Sequence, residues 1–145
     1  MPRTPPERRI EVLDEAECRR LLRTAPIGRI AYTEAALPAI QPVHFVVHGD
    51  EVLIPTRLTS SVALAVAGRG AVVAFSADDV DPVTRTGWDV TAVGAARLIT
   101  DPAELRALDR LGARRCAPGD PCYVAVGLTV LRGRRVLPAL SAAAG

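Results

Sequence analysis

Short apolar or alternating segments, each bounded by Gly, Pro or acidic residues, make up most of the chain and predict β-strands. The predicted strands cover residues 27–33, 39–41, 43–47, 52–56, 71–76, 88–99 and 123–131. Residues 48–51 predict a hairpin turn, because Gly49 tolerates the positive φ that such turns require. Short strands joined by turns predict a mainly β fold, in which an antiparallel sheet closes or nearly closes into a small barrel.

Three short helices are predicted between the strands. The pairs Asp14–Glu17 and Asp101–Glu104 form capping boxes, and Gly112 is placed to end the last helix. The predicted helices cover about residues 15–24, 60–67 and 102–111. Strands and helices do not alternate regularly, which argues against a Rossmann fold.

The composition fits one domain. The chain has 145 residues, of which 49% are apolar and 23% charged, and this is enough to bury a core. We expect the domain to cover residues 11–138, between disordered tails over 1–10 and 139–145. All 18 residues counted as Lys or Arg are Arg, which excludes chemistry that needs a lysine, such as Schiff-base formation.

The sequence predicts neither a nucleic-acid partner nor a membrane partner. A formal charge of +2 and an aromatic content of 3% offer few positive or stacking groups for binding nucleic acid. The apolar runs are far shorter than the ~18 residues of a spanning helix, and the first ten residues lack the apolar stretch of a signal peptide. We therefore expect a cytoplasmic protein, in which Cys18, Cys116 and Cys122 are free thiols and no metal is bound.

Residues 56–61, Thr-Arg-Leu-Thr-Ser-Ser, leave a predicted strand and enter a predicted helix. The start of a helix carries unpaired N–H groups, to which Arg57, Thr59, Ser60 and Ser61 add a cation and three hydroxyls. This combination is typical of a phosphate site. The alternative is that Thr59 or Ser60 only caps the helix, while Arg57 lies in solvent.

Two further features fit either a planar ligand or a purely structural role. Gln41, Val43 and Phe45 share one face of a predicted strand, and Pro42 between them indicates an edge or bulge, where backbone groups can meet a ligand. Trp88, the single Trp, is either a core anchor or a flat wall against a ring. No acid–base or nucleophilic site is evident, so we expect any catalysis to depend on a bound cofactor.

Six segments, taken in order and spacing, carry a family resemblance. They are Leu13-Asp14-Glu15-Ala16-Glu17-Cys18, Pro26-Ile27-Gly28-Arg29-Ile30-Ala31, Gln41-Pro42-Val43-His44-Phe45, Ile54-Pro55-Thr56-Arg57-Leu58-Thr59-Ser60, residues 86–96 and Gly133-Arg134-Arg135. Together they resemble the flavin-binding split-barrel family related to pyridoxamine phosphate oxidase, in its small bacterial branch.

The resemblance implies a six-stranded antiparallel split barrel that forms a homodimer and binds FMN in grooves between the two copies. It implies that the isoalloxazine ring is framed by Gln41, Pro42, Val43, Phe45, Ile54, Pro55 and Thr56. It also implies that the phosphate is held by Arg57, Thr59, Ser60 and Ser61, and that Trp88 reaches the groove. The function implied is that of a flavin-dependent oxidoreductase acting by hydride transfer; the alternative is a carrier or sensor that binds the flavin without catalysis.

Ser61 departs from the family pattern, in which a Lys is common at this position. Loss of a charge-assisted hydrogen bond, about 1.5–3 kcal/mol, weakens FMN binding by about one to two orders of magnitude. Arg57 must then hold the phosphate dianion. The alternatives are a deazaflavin or haem in the pocket, or a vacant pocket that serves only for interaction with a partner.

Overall fold

A computed structural model of the chain describes residues 7–111 and 121–139. Within these ranges the chain forms nine strands and three short helices. The strands are β1 (Arg9–Leu13), β2 (Gly28–Glu34), β3 (Leu37–Val43), β4 (Val46–His48), β5 (Glu51–Arg57), β6 (Ala71–Val80), β7 (Gly87–Ile99), β8 (Pro121–Gly127) and β9 (Val130–Leu137). The helices are α1 (Glu15–Leu22), α2 (Ser61–Val66) and α3 (Pro102–Asp109).

All nine strands join in one sheet, in the order β3-β2-β6-β7-β8-β5-β4, with β9 beside β7 and β1 beside β9. Every pairing is antiparallel. The longest strand, β7, pairs along one edge with two strands in succession: its residues 87–93 pair with β9, and its residues 96–99 pair with β8. The sheet therefore divides along β7, as in a split barrel.

The inner face of the sheet carries the main core. Large side chains that are fully or almost fully buried there are Leu22, Ile30, Phe75, Val90 and Val124. A smaller cluster on the other face packs α3 against β5, β7 and β8. The inner face is thus buried over most of the sheet, except at the edge strands β1 and β3, whereas the part of the outer face that α3 does not cover is open.

Helix α1 lies directly on β9 because Gly133 has no side chain at the contact. A Cβ at this position would meet the sulfur of Cys18 at 2.5 Å. The close approach also brings Leu13 to Gly133, its register partner. Gly133 is therefore required here for packing.

Each helix begins at an oxygen-bearing cap, as the sequence predicts. The capping hydrogen bonds run from the N–H of Glu17 to Asp14, of Glu104 to Asp101 and of Ala63 to Ser60. Helices α1 and α3 each end two residues before the predicted boundary, at Leu22 and Asp109. Gly112, the predicted cap of α3, lies outside the described residues.

The expected count of six strands is wrong, since the described part of the chain forms nine. Residues 123–131 were predicted as one strand, but β8 ends at Gly127 and β9 begins at Val130. The break lets the chain pass from one stretch of β7 to the other. At the break, Leu128 is buried and donates its N–H to the Asp50 carbonyl at 2.8 Å.

The strand that contains Pro42 is continuous, which corrects the prediction of separate strands over 39–41 and 43–47. It runs from Leu37 to Val43, and the chain leaves the sheet for only two residues before β4. As predicted for a Pro at this position, β3 is an edge strand. A Pro is tolerated there because no neighbour needs its missing N–H.

The sequence pattern missed β1. This strand includes Arg9 and Ile10, which we expected in the amino-terminal tail, and it places Arg9 opposite Leu137 of β9. Three of its five residues are apolar, but the segment is short and follows a stretch rich in Pro and Arg, so its pattern alone does not mark a strand. Residues 1–6 and 140–145 of the expected tails, and Cys116, lie outside the described residues.

Candidate functional site

The predicted phosphate site lies where β5 ends and α2 begins. The Thr56 hydroxyl donates to the hydroxyl oxygen of Ser60 at 2.8 Å, and the same oxygen accepts the N–H of Ala63 at 3.2 Å. The N–H of Ser60 donates to the Arg57 carbonyl at 3.0 Å, which closes a tight turn. Thr56 and Ser60 therefore shape the turn, and Ser60 is the helix cap that the alternative interpretation proposed.

Three side chains of this turn present polar groups to solvent. Arg57, Thr59 and Ser61 are exposed, and none of these side chains has a hydrogen-bond or ion-pair partner among the described residues. A guanidinium beside two hydroxyls can bind a phosphate through charge-assisted hydrogen bonds. Since α2 has only six residues, its helix dipole would add little to such binding.

The predicted ring site lies at the end of β3. Gln41 and Val43 are half-buried on the inner face, and Phe45, in the connection to β4, packs against the main core. Pro42 is exposed on the outer face, opposite Arg29 of β2. The structure therefore brings Gln41, Val43 and Phe45 to one side of the sheet and separates the side chain of Pro42 from them.

A second aromatic ring holds Phe45 in place. The rings of Phe45 and Phe75 meet edge to face, with centroids 4.8 Å apart and planes at 67°. Phe75 is fully buried and lies against Gly28, where any Cβ would overlap its ring. Beside Phe45 is a hollow of about 280 Å³, lined by apolar residues of α1 and β4 and by Arg23. Phe45 is therefore a fixed apolar wall.

The register of β4 with β5 places the predicted ring site near the predicted phosphate site. Val46 pairs with Leu53, so Phe45, which precedes Val46, and Ile54, which follows Leu53, approach the same point. Because β4 has only three residues, residues 54–57 of β5 pair with β8 alone among the described strands. The other backbone edge of this stretch faces the region of Phe45.

Ile54, Pro55 and Thr56 differ in what they can offer a ring. Ile54 is fully buried in the main core, so a ligand can reach only its backbone. Thr56 is nearly buried and bonded to Ser60, and Pro55 is half-buried on the opposite face. If Ile54 frames a ring, as the resemblance implies, it does so through its backbone.

Trp88 lies apart from the other candidates. It is in β7, opposite Arg135 of β9, and packs half-buried against the main core. The phosphate site lies toward the other end of β7. In the sheet, Ile54 of β5 pairs with Val124 of β8, and Val124 pairs with Leu98 of β7. Ten positions, about 33 Å along an extended strand, separate Trp88 from Leu98. Within one chain, Trp88 has the contacts of a core anchor.

Two neighbours of the candidate residues were missed by the sequence analysis. The Tyr32 hydroxyl donates to Gln41 Oε1 at 3.4 Å, and Phe75 contacts Phe45. The alternation of buried residues along β2 and β6 indicates which face these side chains occupy. It does not indicate their partners, because these depend on the register with other strands.

An ion-pair network lies near Trp88. Arg135 donates to Glu17 at 2.8 Å and to Glu11 at 3.5 Å. Hydrogen bonds from Arg20 and from Arg135 lower the pKa of Glu17 from 4.5 to about 2. Arg135 is therefore neutralised by acidic side chains, and Arg57 is the better placed of the two to bind an anion.

Three features of the described ranges concern membrane contact, metal binding and thiol chemistry. No helix there combines the length and the apolar character needed to cross a bilayer. No group of three or more His, Cys, Asp or Glu side chains in these ranges could hold a metal ion. Cys18 is a buried free thiol, and burial raises its pKa, so it is poorly suited to nucleophilic chemistry.

An antiparallel sheet that divides along one long strand, with a polar turn at the end of β5, defines a split barrel of the flavin-binding type. The family model described as pyridoxamine 5'-phosphate oxidase matches residues 14–134, and the chain belongs to this family. An uncharacterized protein of Mycobacterium tuberculosis is 45% identical over 107 residues, which are 72% of this chain and 70% of that protein.

Solved structures share the fold. The FAD binding protein from Mycobacterium smegmatis is 32% identical, with a TM-score of 0.70 over 87% of this chain and 97% of that chain. The FAD and heme binding protein from the same species is 20% identical, with a TM-score of 0.69 over 91% of this chain and 78% of that chain. The expected family and the expected mainly β split-barrel class are confirmed.

Proposed function

We propose that the protein binds a flavin beside the end of β5 and uses FMN as its cofactor. The observation that carries this proposal is the turn at residues 57–61, where Arg57, Thr59 and Ser61 have polar groups without partners in the described structure. The register of β4 and β5 leads this turn toward the apolar wall of Phe45. A flavin phosphate needs charge-assisted donors, and a flavin ring needs a flat apolar wall, so the two features fit one molecule.

Each part of the site has a defined role in this proposal. Arg57, Thr59 and Ser61 bind and position the phosphate, with Arg57 as the main partner of the dianion because Ser61 stands where a Lys is common. Val43 and Phe45 exclude water from one side of the ring. A bound flavin supplies hydride and electron transfer, which the side chains of this chain do not provide by themselves.

We propose that the protein is an oxidoreductase that acts by hydride transfer in the cytoplasm. The alternative is a non-catalytic flavin carrier or sensor, and the absence of an evident general base favours it mildly. Addition of NADPH without oxygen distinguishes the two. Bleaching of the flavin absorbance on the time scale of turnover supports an enzyme, and persistent colour supports a carrier.

We also propose that two copies form a homodimer through the outer face of the sheet. Of the eleven large apolar side chains that are exposed in the described ranges, six lie on this face by strand register, which marks it as the face to be covered. They are Ile10, Val12, Ile40, Val72, Val80 and Val130. The same face has a hollow of about 200 Å³, which Ala31, Ala74 and Ser76 help to line. A hollow of this size suits a side chain of the second copy.

The same face carries charges of both signs on neighbouring strands. Arg29 lies 3.9 Å from Asp78, and Arg134 lies 2.7 Å from Asp89. A two-fold interface needs a surface that complements itself, and adjacent positive and negative groups meet this requirement. By strand register Trp88 lies on the inner face of β7, away from the proposed interface, so we expect it to remain a core residue in the dimer.

FAD is the second candidate cofactor. The Mycobacterium smegmatis relative that is 32% identical is described as an FAD binding protein. FAD contains the same ring, and its corresponding phosphate is part of a diphosphate, so the same turn and wall would hold it. Haem is a further alternative, since another structure with this fold is described as binding FAD and heme; a deazaflavin is the remaining one.

The experiment that tests the proposed function is an absorption spectrum of the purified protein, followed by titration with FMN, FAD, a deazaflavin and haem. We expect flavin absorbance bands and a lower dissociation constant for FMN than for the other three. Tighter binding of FAD would move the proposal to the second candidate. A protein that binds neither FMN nor FAD would contradict the flavin proposal.

A further inference from the structure

The hydroxyl of Tyr32 reaches a residue of the predicted ring site. Tyr32 lies on the inner face of β2, where it is 7% exposed and two positions from Ile30, the register partner of Gln41. Its hydroxyl is 3.4 Å from Gln41 Oε1. An amide oxygen only accepts hydrogen bonds, so the phenol O–H is the donor.

This hydroxyl has no other partner in the described part of the chain. A phenylalanine at position 32 would fill the same core space, because the ring of Tyr32 packs among apolar residues. The hydroxyl oxygen of Tyr32 is therefore not needed for packing, and its contribution is the hydrogen bond to Gln41.

While the Tyr32 O–H donates to Oε1, it holds the Gln41 amide in one orientation; a rotated amide would instead donate its N–H to the phenol oxygen. Because Oε1 is directed at Tyr32, the NH₂ group, with its two donors, is directed away from it. Gln41 is half-buried in β3, which is an edge strand of the described sheet. In this orientation Gln41 meets a ligand as a hydrogen-bond donor.

We propose that Tyr32 is a positioning residue, which holds Gln41 as a donor to an acceptor atom at the edge of the flavin ring. The pyrimidine part of the ring carries carbonyl oxygens, which suit such a donor. Without Tyr32, the amide can rotate and present its oxygen to these acceptors, which is repulsive. The inference rests on the proposed flavin site, and it needs no contact between Tyr32 and the flavin.

A double-mutant cycle tests this inference through the dissociation constant of FMN, measured by quenching of FMN fluorescence. We expect Tyr32→Phe to weaken FMN binding by about three- to tenfold, and Gln41→Leu to weaken it at least as much. In the Gln41→Leu background, the further change Tyr32→Phe should have no effect on the dissociation constant. Gln41→Glu, which has nearly the same size but only accepts when ionised, should also bind FMN more weakly.

Tyr123→Phe is the matched control. Tyr123 is the other tyrosine of the chain, it is fully buried, and its hydroxyl donates to Asp109 at 3.2 Å. We expect this variant to lower the unfolding temperature without changing FMN affinity. The visible absorption band of bound FMN should shift in Tyr32→Phe and stay in place in Tyr123→Phe.

Two outcomes would overturn the role of Tyr32 and leave the flavin site intact. One is FMN binding by Tyr32→Phe that equals the parent while Gln41→Leu binds weakly. The other is an equal loss from Tyr32→Phe with and without Gln41, which would mean that the hydroxyl acts by another route. Failure of the parent protein to bind FMN would instead contradict the proposed function.

Discussion

The hydroxyl of Thr56 donates to the hydroxyl oxygen of Ser60 at 2.8 Å and ties the end of β5 to the cap of α2. Ser60 also accepts the N–H of Ala63, so both acceptor positions of its hydroxyl oxygen are in use. The turn is thus built by these two hydroxyls, and its exposed neighbours are left to meet an anion. Arg57 is the cation among these neighbours.

Arg57→Ala should raise the dissociation constant of FMN by about tenfold to a hundredfold, because it removes a charge-assisted hydrogen bond. The variant should keep the unfolding temperature of the parent, since Arg57 is exposed and has no partner in the described ranges. Arg69→Ala, another exposed and unpartnered cation, is the control and should bind FMN like the parent. Equal FMN affinity in Arg57→Ala and the parent would contradict the phosphate assignment.

Ser61→Lys should lower the dissociation constant of FMN by about tenfold, because the ammonium adds a second cation beside Arg57. Titration calorimetry with FMN measures the change, and the gain should shrink as the salt concentration rises. Ser61→Ala, which adds no charge, should not tighten binding. If Ser61→Lys binds FMN no better than the parent, the turn is not a phosphate site of the family type.

Gly28→Ala should destabilise the fold by about 1–3 kcal/mol, because the new Cβ overlaps the ring of Phe75. Displacement of Phe75 also moves Phe45, which meets it edge to face, so FMN should bind more weakly. Denaturant unfolding measures the first effect, and FMN titration measures the second. The smaller side chain in Phe75→Leu should relieve part of the strain when the two changes are combined. Full stability of Gly28→Ala alone would contradict this packing.

Glu17→Gln should reduce the loss of stability in acid. The pKa of Glu17 is lowered from 4.5 to about 2 in the fold, first by Arg20 and then by Arg135. Its charged form therefore stabilises the fold above pH 4.5, and this contribution is lost as the pH falls toward 2. The unfolding temperature of the parent should fall over this range more steeply than that of Glu17→Gln. Glu34→Gln, at a residue without a partner in the described chain, should behave like the parent.

Ile40→Asp should convert the proposed homodimer to a monomer, because it places a charge within the outer apolar face, on its β3 side. Light scattering after size-exclusion chromatography measures the mass. Val83→Asp is the control, since Val83 is 88% exposed and lies in the turn between β6 and β7, outside the strands that form that face. A dimer that persists in Ile40→Asp would exclude this face as the interface, and a monomeric parent would exclude the homodimer.

Local signals predicted the helices and the hairpin well. The capping bonds at Asp14 and Asp101 join residues three positions apart, and Gly49 has the positive φ, 57°, that the hairpin requires. The strand β1 could not be predicted in this way, because its partner lies near the other end of the chain. The break between β8 and β9 likewise depends on how both strands share β7.

In the candidate site too, features set by neighbouring residues were predicted, and features set by strand register were not. The turn at residues 57–61 was predicted from consecutive residues, and the structure describes it as a turn with a capped helix. The bond from Tyr32 to Gln41 requires the register of β2 with β3, which apolar periodicity does not specify. For the same reason, the sequence did not reveal that Ile54 faces the core or that the phosphate site lies near the end of β7 opposite Trp88.

The pairing of β1 with β9 has a consequence for how the protein is made. Synthesis proceeds from the amino terminus, so the first strand emerges long before its only neighbour in the described sheet. Until then, α1 also lacks Arg135, the β9 residue that binds Glu17. Closing so long a loop is entropically costly. We therefore expect the pairing of β1 with β9 to form last in the sheet, at a rate set by chain topology.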